Sequence, residues 1–217
     1  MSAISFSQKS GKTYILVHGA FHGAWCWYRV VPLLEIKGYK VVAIYLPGHG
    51  KDTANAANIG LADYVQKVVT VANEQAGQVI LVGHSMAGVV ISQAAEALGT
   101  GKVASLVYLD AFLPATGESV FSLAAAVKKQ LPPSSVHSIS MRDCMIISKD
   151  RKTALFNTAM AQQFFYDDCT ADDISLAKAN VCVQSLAPLG TPVVLTDTIS
   201  ELLIWDKQAL SRFKNNG

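Results

Sequence analysis

One serine in this sequence lies in a pattern that is typical of an enzyme nucleophile. The segment Gly83-His84-Ser85-Met86-Ala87 follows a short apolar run and precedes a stretch rich in Ala and Val. Between a strand and a helix, a G-x-S-x-G pattern forms a sharp turn that exposes the serine hydroxyl, and this turn needs small residues two positions on either side. Here Ala87 replaces the second glycine. The alternative is that Ser85 only caps the helix that follows.

A second segment, His18-Gly19-Ala20-Phe21-His22, follows an earlier apolar run. A loop of this type supplies one backbone N–H of an oxyanion hole, and the residue after the nucleophile supplies the other. The two donors would be the amides of Ala20 and Met86, which would stabilise negative charge on a carbonyl oxygen under attack. Two histidines four residues apart also admit a metal site. However, the segment has no helical pattern and no nearby carboxylate, so we expect no metal.

Three further residues beside these segments are candidates for substrate contacts, namely Gly19, His18 and His84. His18 is also a candidate for a structural role, in which its ring hydrogen-bonds to the loop. We expect His49, in the turn Pro47-Gly48-His49-Gly50, to be structural as well.

Four apolar runs predict the strands that must position these residues. They span residues 14–17, 40–46, 78–82 and 104–109, and each ends at turn-forming residues. Continuous apolar runs are typical of strands that are buried on both faces of a parallel sheet. Between the runs, residues 24–37, 61–75 and 86–98 carry apolar side chains at helical spacing. Strands and helices in alternation predict an α/β fold with a mainly parallel sheet flanked by helices.

The alternation stops after Pro114. Residues 115–189 are helix-prone but irregular, and they include Pro132-Pro133 and an acidic cluster at 167–173. We interpret them as a helical cap inserted after the strand that ends near Asp110, with residues 1–114 and 190–217 as the core. Ordinary peripheral helices are the alternative. Near the end, residues 201–205 are a candidate strand and residues 207–216 a candidate helix.

Composition excludes several classes of protein. Of the 217 residues, 51% are hydrophobic and 16% are charged, which excludes a disordered chain and supplies a sizeable core. The net charge of +2 gives no reason to expect a nucleic-acid or anionic membrane partner. The polar N-terminus lacks the apolar region of a secretory signal, and no apolar window reaches membrane-spanning length, so we predict a cytoplasmic protein. The four cysteines show no C-x-x-C spacing, and we expect reduced thiols.

Several ordered motifs resemble the methylesterase and hydroxynitrile lyase group of the α/β-hydrolase superfamily, which includes plant salicylate methylesterases. The resemblance runs from about residue 12 to residue 200 and rests on V-H-G-A-F-H-G-A-W-C-W-Y (17–28), L-P-G-H-G (46–50), L-A-D-Y (61–64), V-G-H-S-M-A-G (82–88), Y-L-D-A-F-L-P (108–114), F-F-Y-D-D-C-T (164–170) and Q-S-L-A-P (184–188). It implies a Ser-His-Asp triad with Ser85 as nucleophile, the oxyanion hole at Ala20 and Met86, and an apolar pocket under the cap. It further implies small methyl or aryl esters as substrates and no cofactor. The lyases usually carry threonine where this chain has Gly19, which favours the esterase branch.

The sequence departs from this family at its C-terminal end. Family members continue past residue 217 and carry the triad histidine after their last strand, so the resemblance suggests a truncated chain without the last strand and helix. None of the five histidines follows the cap; they are His18, His22, His49, His84 and His137. His22 and His137 are the alternatives for a base. Asp206 is the first candidate for the triad acid, and Asp110 is the second.

Three functional hypotheses therefore stay open. The first is a serine esterase that acts through Ser85 on small apolar esters. The second is a catalytically impaired homologue that binds a small ester or carboxylic acid, because a serine hydroxyl is a poor nucleophile without a base. The third is hydroxynitrile cleavage. A homodimer that covers the exposed edge of the sheet also stays open.

Overall fold

The computed structural model describes residues 11–50, 52, 54–130 and 141–196. Its central sheet has the strand order β2-β1-β3-β4, and all neighbouring strands are parallel. The strands are β1 (Thr13–Val17), β2 (Lys40–Ile44), β3 (Val79–Ser85) and β4 (Val103–Ala111). This sheet, with its flanking helices, confirms the α/β fold predicted from the four apolar runs.

Both faces of the sheet are covered, which explains why its strands are apolar throughout. On one face, helices α2 (Leu61–Asn73) and α3 (Ala87–Leu98) pack over a core that includes Ile15, Leu81 and Leu106. On the other face, Leu16 and Val82 contact Trp27 and the helix α1 (Val30–Glu35). The register pairs Val17 of β1 with Gly83 of β3. The two candidate segments therefore leave neighbouring strands at the same edge of the sheet.

The predicted single helix over residues 24–37 is divided in two. A 3-10 helix spans Ala24–Trp27, and α1 begins only at Val30. Pro32 has no backbone N–H, so it is tolerated in the first turn of an α-helix and interrupts one that began further upstream. The division follows from this residue.

The segment after β4 contains a second sheet that the sequence did not predict. Its strands are β5 (Met145–Ile147), β6 (Thr153–Phe156) and β7 (Gln184–Ser185), all antiparallel in the order β5-β6-β7. Helices α4 (Val120–Gln130), α5 (Ala161–Phe165), α6 (Ala171–Asn180) and α7 (Ala187–Gly190) surround it, with 3-10 turns at Met141–Cys144 and Thr158–Met160. The cap region is therefore mixed rather than purely helical.

Some predicted features lie outside the described residues. These are the candidate strand 201–205, the candidate helix 207–216, Asp206 and His137. Among the helices that the structure does describe, none is long and apolar enough to cross a membrane.

Candidate active site

Ser85 occupies a strained turn at the end of β3, immediately before α3. Its φ angle is +54°, in the left-handed region that non-glycine residues rarely adopt. Such a conformation costs on the order of 1–3 kcal/mol and persists where the surrounding structure enforces it, often at functional sites. The side chain of Ser85 lines a cavity of about 840 Å³ between the sheet edge and the cap. A serine that only capped a helix would not need this backbone conformation.

The backbone around the turn leaves no room for side chains. A Cβ atom at Gly83 would lie 2.8 Å from the carbonyl oxygen of Ala87, and a Cβ atom at Gly88 would overlap the carbonyl oxygen of Phe112. The N–H of Phe112 also donates a hydrogen bond to the carbonyl oxygen of Ser85, at 3.1 Å. Gly88 therefore lies where α3 packs against Phe112, immediately after β4. Ala87, which replaces the second glycine of the pattern, is fully buried in the core.

Ala20 and Met86, the predicted donors of the oxyanion hole, line the same cavity as Ser85. Within the described part of the chain, neither amide donates a hydrogen bond to another protein group. Buried backbone N–H groups are nearly always paired, so two unpaired amides beside a cavity are available to a ligand oxygen. We call the surface formed by Ala20, Phe21, Ser85, Met86 and Phe112 the elbow wall.

The loop that carries Ala20 is held by residues from the cap region. Phe21 is fully buried with a φ of +65°. Its N–H donates to the side-chain oxygen of Gln184 at 3.1 Å, and its carbonyl oxygen accepts from the N–H of Cys182 at 2.9 Å. These two hydrogen bonds hold the loop at the residue that follows Ala20.

Gln184 is a site residue that the sequence analysis missed. Its side chain is fully buried, and its oxygen accepts hydrogen bonds from the Phe21 N–H and from Nε2 of His49, both at 3.1 Å. Its NH₂ group donates to the hydroxyl of Tyr64 at 3.0 Å and to the carbonyl oxygen of Ser185 at 2.8 Å. All its hydrogen-bonding capacity is used, as a buried amide requires. The one signal in the sequence was a glutamine inside the Q-S-L-A-P segment.

His18 does not line the cavity. It is fully buried; its Nδ1 donates to the carbonyl oxygen of Gly19 at 2.9 Å, and its Nε2 accepts from the N–H of Leu46 at 3.1 Å. Burial holds its pKa well below the ordinary histidine value, and the nearby His49 lowers that pKa further. These contacts give His18 the geometry of a neutral, structural residue that joins two loops.

His22 is likewise engaged away from Ser85. Its Nδ1 donates to the carbonyl oxygen of Ala20 at 2.7 Å, and its Nε2 is hydrogen-bonded to the hydroxyl of Tyr166 in the cap region. Burial lowers its pKa to about 4, so the ring is neutral at pH 7. His49, described above with Gln184, is buried too, and burial lowers its pKa.

Gly19 and His84 contact each other directly behind the serine. A Cβ atom at Gly19 would lie 2.9 Å from Nδ1 of His84 and 3.1 Å from Cβ of Ser85. Burial lowers the pKa of His84, and the negative charge of Asp110 opposes this effect. Asp110 itself is exposed at the end of β4, with a φ of +43°. Gly19, His84 and Asp110 are not among the residues that line the cavity.

The described residues hold no imidazole within hydrogen-bond distance of the Ser85 hydroxyl. They also contain no group of three or more His, Cys, Asp or Glu side chains that could hold a metal ion. His137 and Asp206, the remaining predicted members of a triad, fall outside the part of the chain that the structure describes.

The opposite side of the cavity, which we call the cap wall, is formed largely by side chains from the cap region. It is mainly apolar, and its contributions come from α4, from the β5–β6 hairpin with the 3-10 turn before it, and from the segment around α7. Its residues are Val120, Phe121, Ala124, Met141, Arg142, Met145, Ile147, Arg151, Lys152, Leu186, Ala187 and Leu189. A cavity of this volume and character is suited to a small apolar ligand.

Comparison with known proteins agrees with this geometry. Residues 14–214 match the alpha/beta hydrolase family. The chain is 30% identical to putative methylesterase 15, chloroplastic, of Arabidopsis thaliana, over 82% of this chain and 40% of that protein. It is 32% identical to a carbendazim hydrolyzing esterase of Nocardioides sp. (strain SG-4G), over 84% of this chain and 73% of the esterase. The chain thus spans only 40% of the length of that methylesterase, and 42% of the length of putative methylesterase 13, chloroplastic, of the same plant.

A solved structure supports the same relationship. The crystal structure of a pyrethroid hydrolase from Sphingobium faniae JZ-2 superposes with a TM-score of 0.73 at 28% identity. The match covers 88% of this chain and 75% of the pyrethroid hydrolase.

Proposed function

The chain belongs to the alpha/beta hydrolase family, and from this premise we propose that it is a serine carboxylesterase acting on small apolar esters. The proposed substrates are methyl or aryl esters of carboxylic acids, and the proposed intermediate is an acyl-enzyme on Ser85. The observation that carries the proposal is the strained Ser85 turn at a cavity that Ala20 and Met86 also line, where neither backbone amide donates to another group among the described residues. Esterase activity in the names of two relatives supports it.

In the proposed reaction, Oγ of Ser85 attacks the acyl carbon and gives its proton to a base. The carbonyl oxygen becomes negatively charged and accepts hydrogen bonds from the amides of Ala20 and Met86, which stabilises the tetrahedral intermediate. The C–O bond to the alcohol then breaks, and the alcohol takes up the proton. A water molecule then gives a proton to the base and attacks the acyl carbon, the bond between that carbon and Oγ of Ser85 breaks, Oγ takes up the proton, and the carboxylic acid is released.

The proposed reaction needs a base that accepts the proton of the Ser85 hydroxyl. Three of the histidines use their ring nitrogens in other contacts, and Nδ1 of His84 faces Gly19. Of the two candidate bases, His22 uses both ring nitrogens in other hydrogen bonds, so His137 is the proposed base. We retain Asp206 as the proposed triad acid.

The crowding at Gly19 favours ester hydrolysis over hydroxynitrile cleavage. The hydroxynitrile lyases of the group that this sequence resembles usually carry threonine at this position. Here a Cβ atom would already lie 2.9 Å from His84 and 3.1 Å from Ser85, so a threonine side chain would not fit without a shift of the turn.

A second candidate function is the binding of a small ester or carboxylic acid with little or no turnover. The observation that favours it is the lack, within the described ranges, of an imidazole bonded to Ser85. An unactivated serine would contribute little to hydrolysis, and only the oxyanion donors and substrate binding would help the reaction.

Hydrolysis of 4-nitrophenyl butyrate by the wild-type chain and by Ser85→Ala separates the two candidates. For the esterase we expect the substitution to lower kcat/KM by about 10³-fold or more, because losing the nucleophile removes the covalent route. A fluorophosphonate probe should form one adduct, on Ser85, and none in the variant. Ser175→Ala, an exposed serine on α6, is the matched control and should leave both readouts unchanged. Equal rates for wild type and Ser85→Ala would overturn the esterase and support the binding protein.

A further inference from the structure

Three cationic side chains, those of Arg142, Arg151 and Lys152, line the otherwise apolar cap wall. Arg142 lies in the 3-10 turn before β5, and the other two lie in the turn between β5 and β6. Because β5 and β6 form an antiparallel hairpin, these positions mark its two ends. The cations therefore approach one cavity from both ends of a short hairpin.

Among the described residues that line the cavity beside these cations, none carries a carboxylate. The nearest carboxylate in the same turn is that of Asp150, and it already accepts hydrogen bonds from the Ser148 hydroxyl at 2.6 Å and the Lys152 N–H at 3.1 Å. Arg29 and Asp173 form an ion pair, and neither of these two residues lines the cavity. The positive charge on the cap wall is thus not neutralised by the residues that form the wall.

This concentration of charge is local rather than a property of the whole surface. The chain has 18 Lys and Arg residues against 16 Asp and Glu residues, so its charges are nearly balanced. Long cationic side chains often line apolar surfaces with their heads in water. Here, however, three of them meet at the cavity that contains Ser85, and the lining has no acidic residue. An arginine fork also matches a carboxylate in a bidentate geometry.

We propose that the pocket selects esters that carry a carboxylate at the end remote from the scissile bond, such as monoesters of dicarboxylic acids. This inference rests on the proposed esterase function and names its substrate class. Apolar side chains such as Met145, Ile147 and Leu186 line the same cavity and contact the methylene chain of the acid. The cations bind the free carboxylate while the ester group lies at Ser85.

Binding to the Ser85→Ala chain tests the proposal without turnover. The probes are monomethyl adipate, which is an anion at pH 7, and dimethyl adipate, which is neutral and nearly isosteric. Pairs between exposed charges are individually weak but three cations act together, so we expect calorimetry at low salt to give a Kd about tenfold lower for the monoester. This preference should shrink as salt is added, because screening weakens exposed pairs.

Replacing the three cations by glutamine (Arg142→Gln, Arg151→Gln and Lys152→Gln together) should abolish the preference for the monoester and leave binding of the diester intact. The matched control is Lys149→Gln, an exposed lysine in the same turn that does not line the cavity, and it should keep the preference. Equal Kd values for the two esters in the parent chain, an unchanged preference in the triple variant, or no binding of either ester would each overturn the inference. If the monoester is preferred in binding but the wild-type chain hydrolyses no ester, the result contradicts the proposed esterase function and leaves the proposed carboxylate selection intact.

Discussion

The elbow wall and the cap wall face the same cavity but are built in different ways. The elbow wall is fixed by backbone: Ser85 and Phe21 hold positive φ angles, and glycines permit chain approaches that any Cβ atom would block. The cap wall is formed by side chains on short elements, and some of these, such as Phe121 and Ile147, are more than 40% exposed. Reactive geometry thus depends on main-chain positions, whereas substrate selection depends on side chains that can change without disturbing the sheet.

Hydrogen bonds join the loop that carries Ala20 and Phe21 to the cap region. Gln184 and Cys182 hold Phe21, and Tyr166 is bonded to His22. We call these contacts the seam. If the comparison is correct, substitutions at the elbow wall should reduce stability most, and substitutions at the seam should affect both stability and turnover.

The largest effect on stability is expected for Gly88→Ala. Alanine normally favours a helix interior over glycine by about 1 kcal/mol. Here its Cβ atom would overlap the carbonyl oxygen of Phe112, so we expect a net loss of about 3 kcal/mol in the free energy of unfolding. Urea denaturation measures this loss. Gly101→Ala is the control, because a Cβ atom there meets nothing within 4 Å. Equal stabilities for the two variants would show that the elbow wall adapts, and the contrast between the walls would fail.

The next effect concerns the seam, through Gln184→Leu. Leucine has a similar size but leaves the Phe21 N–H, the Tyr64 hydroxyl and His49 without their buried partner. We expect a loss of roughly 2–3 kcal/mol in stability, together with a lower kcat, because the Ala20 amide is no longer held. Urea denaturation and steady-state kinetics give the two numbers. Gln163→Leu, on the exposed face of α5, should change neither. A loss of stability with an unchanged kcat would show that the seam contacts stabilise the fold but do not position the Ala20 amide.

The parts of this molecule that could be predicted from sequence are those with local signals. The strands β1 to β4 are continuous apolar runs, and the Ser85 segment combines a strand, a glycine and a helix in one short stretch. In both cases the residues that carry the signal are the same residues that form the predicted structure, or lie within a few positions of them. The division of residues 24–37 was also visible in principle, because Pro32 limits where α1 can begin.

The rest depends on contacts between distant residues. The cap strands have three, four and two residues, too short to show an alternating pattern. Gln184 lies 163 residues from Phe21, 135 from His49 and 120 from Tyr64, so its role arises only when the chain folds. The histidines illustrate the same limit. Their spacing did not reveal that His18 and His22 use both ring nitrogens in structural hydrogen bonds.

The smallest effect is a pH dependence of stability at the seam, through His22. Burial, together with the nearby His84 and His49, lowers the pKa of His22 from the ordinary value of 6.5 to about 4. As the pH falls below 6.5, the unfolded chain binds a proton that the folded chain refuses until about pH 4. The contribution of His22 is therefore complete above pH 6.5 and is lost between 6.5 and 4. Between pH 7 and pH 5 it amounts to about 2 kcal/mol.

His22→Asn tests this contribution, because asparagine can still donate to the carbonyl oxygen of Ala20 but does not titrate. Wild type should lose about 2 kcal/mol more than the variant when urea denaturation at pH 7 is compared with pH 5. His18 and His49 also have lowered pKa values, so the variant should keep part of the acid sensitivity. Tyr166→Phe removes the hydroxyl bonded to His22 but keeps the imidazole, and it should lower stability at both pH values while retaining most of the slope. If His22→Asn and wild type lose stability in parallel, His22 is not the buried neutral group at the seam, and the two walls are joined by other contacts.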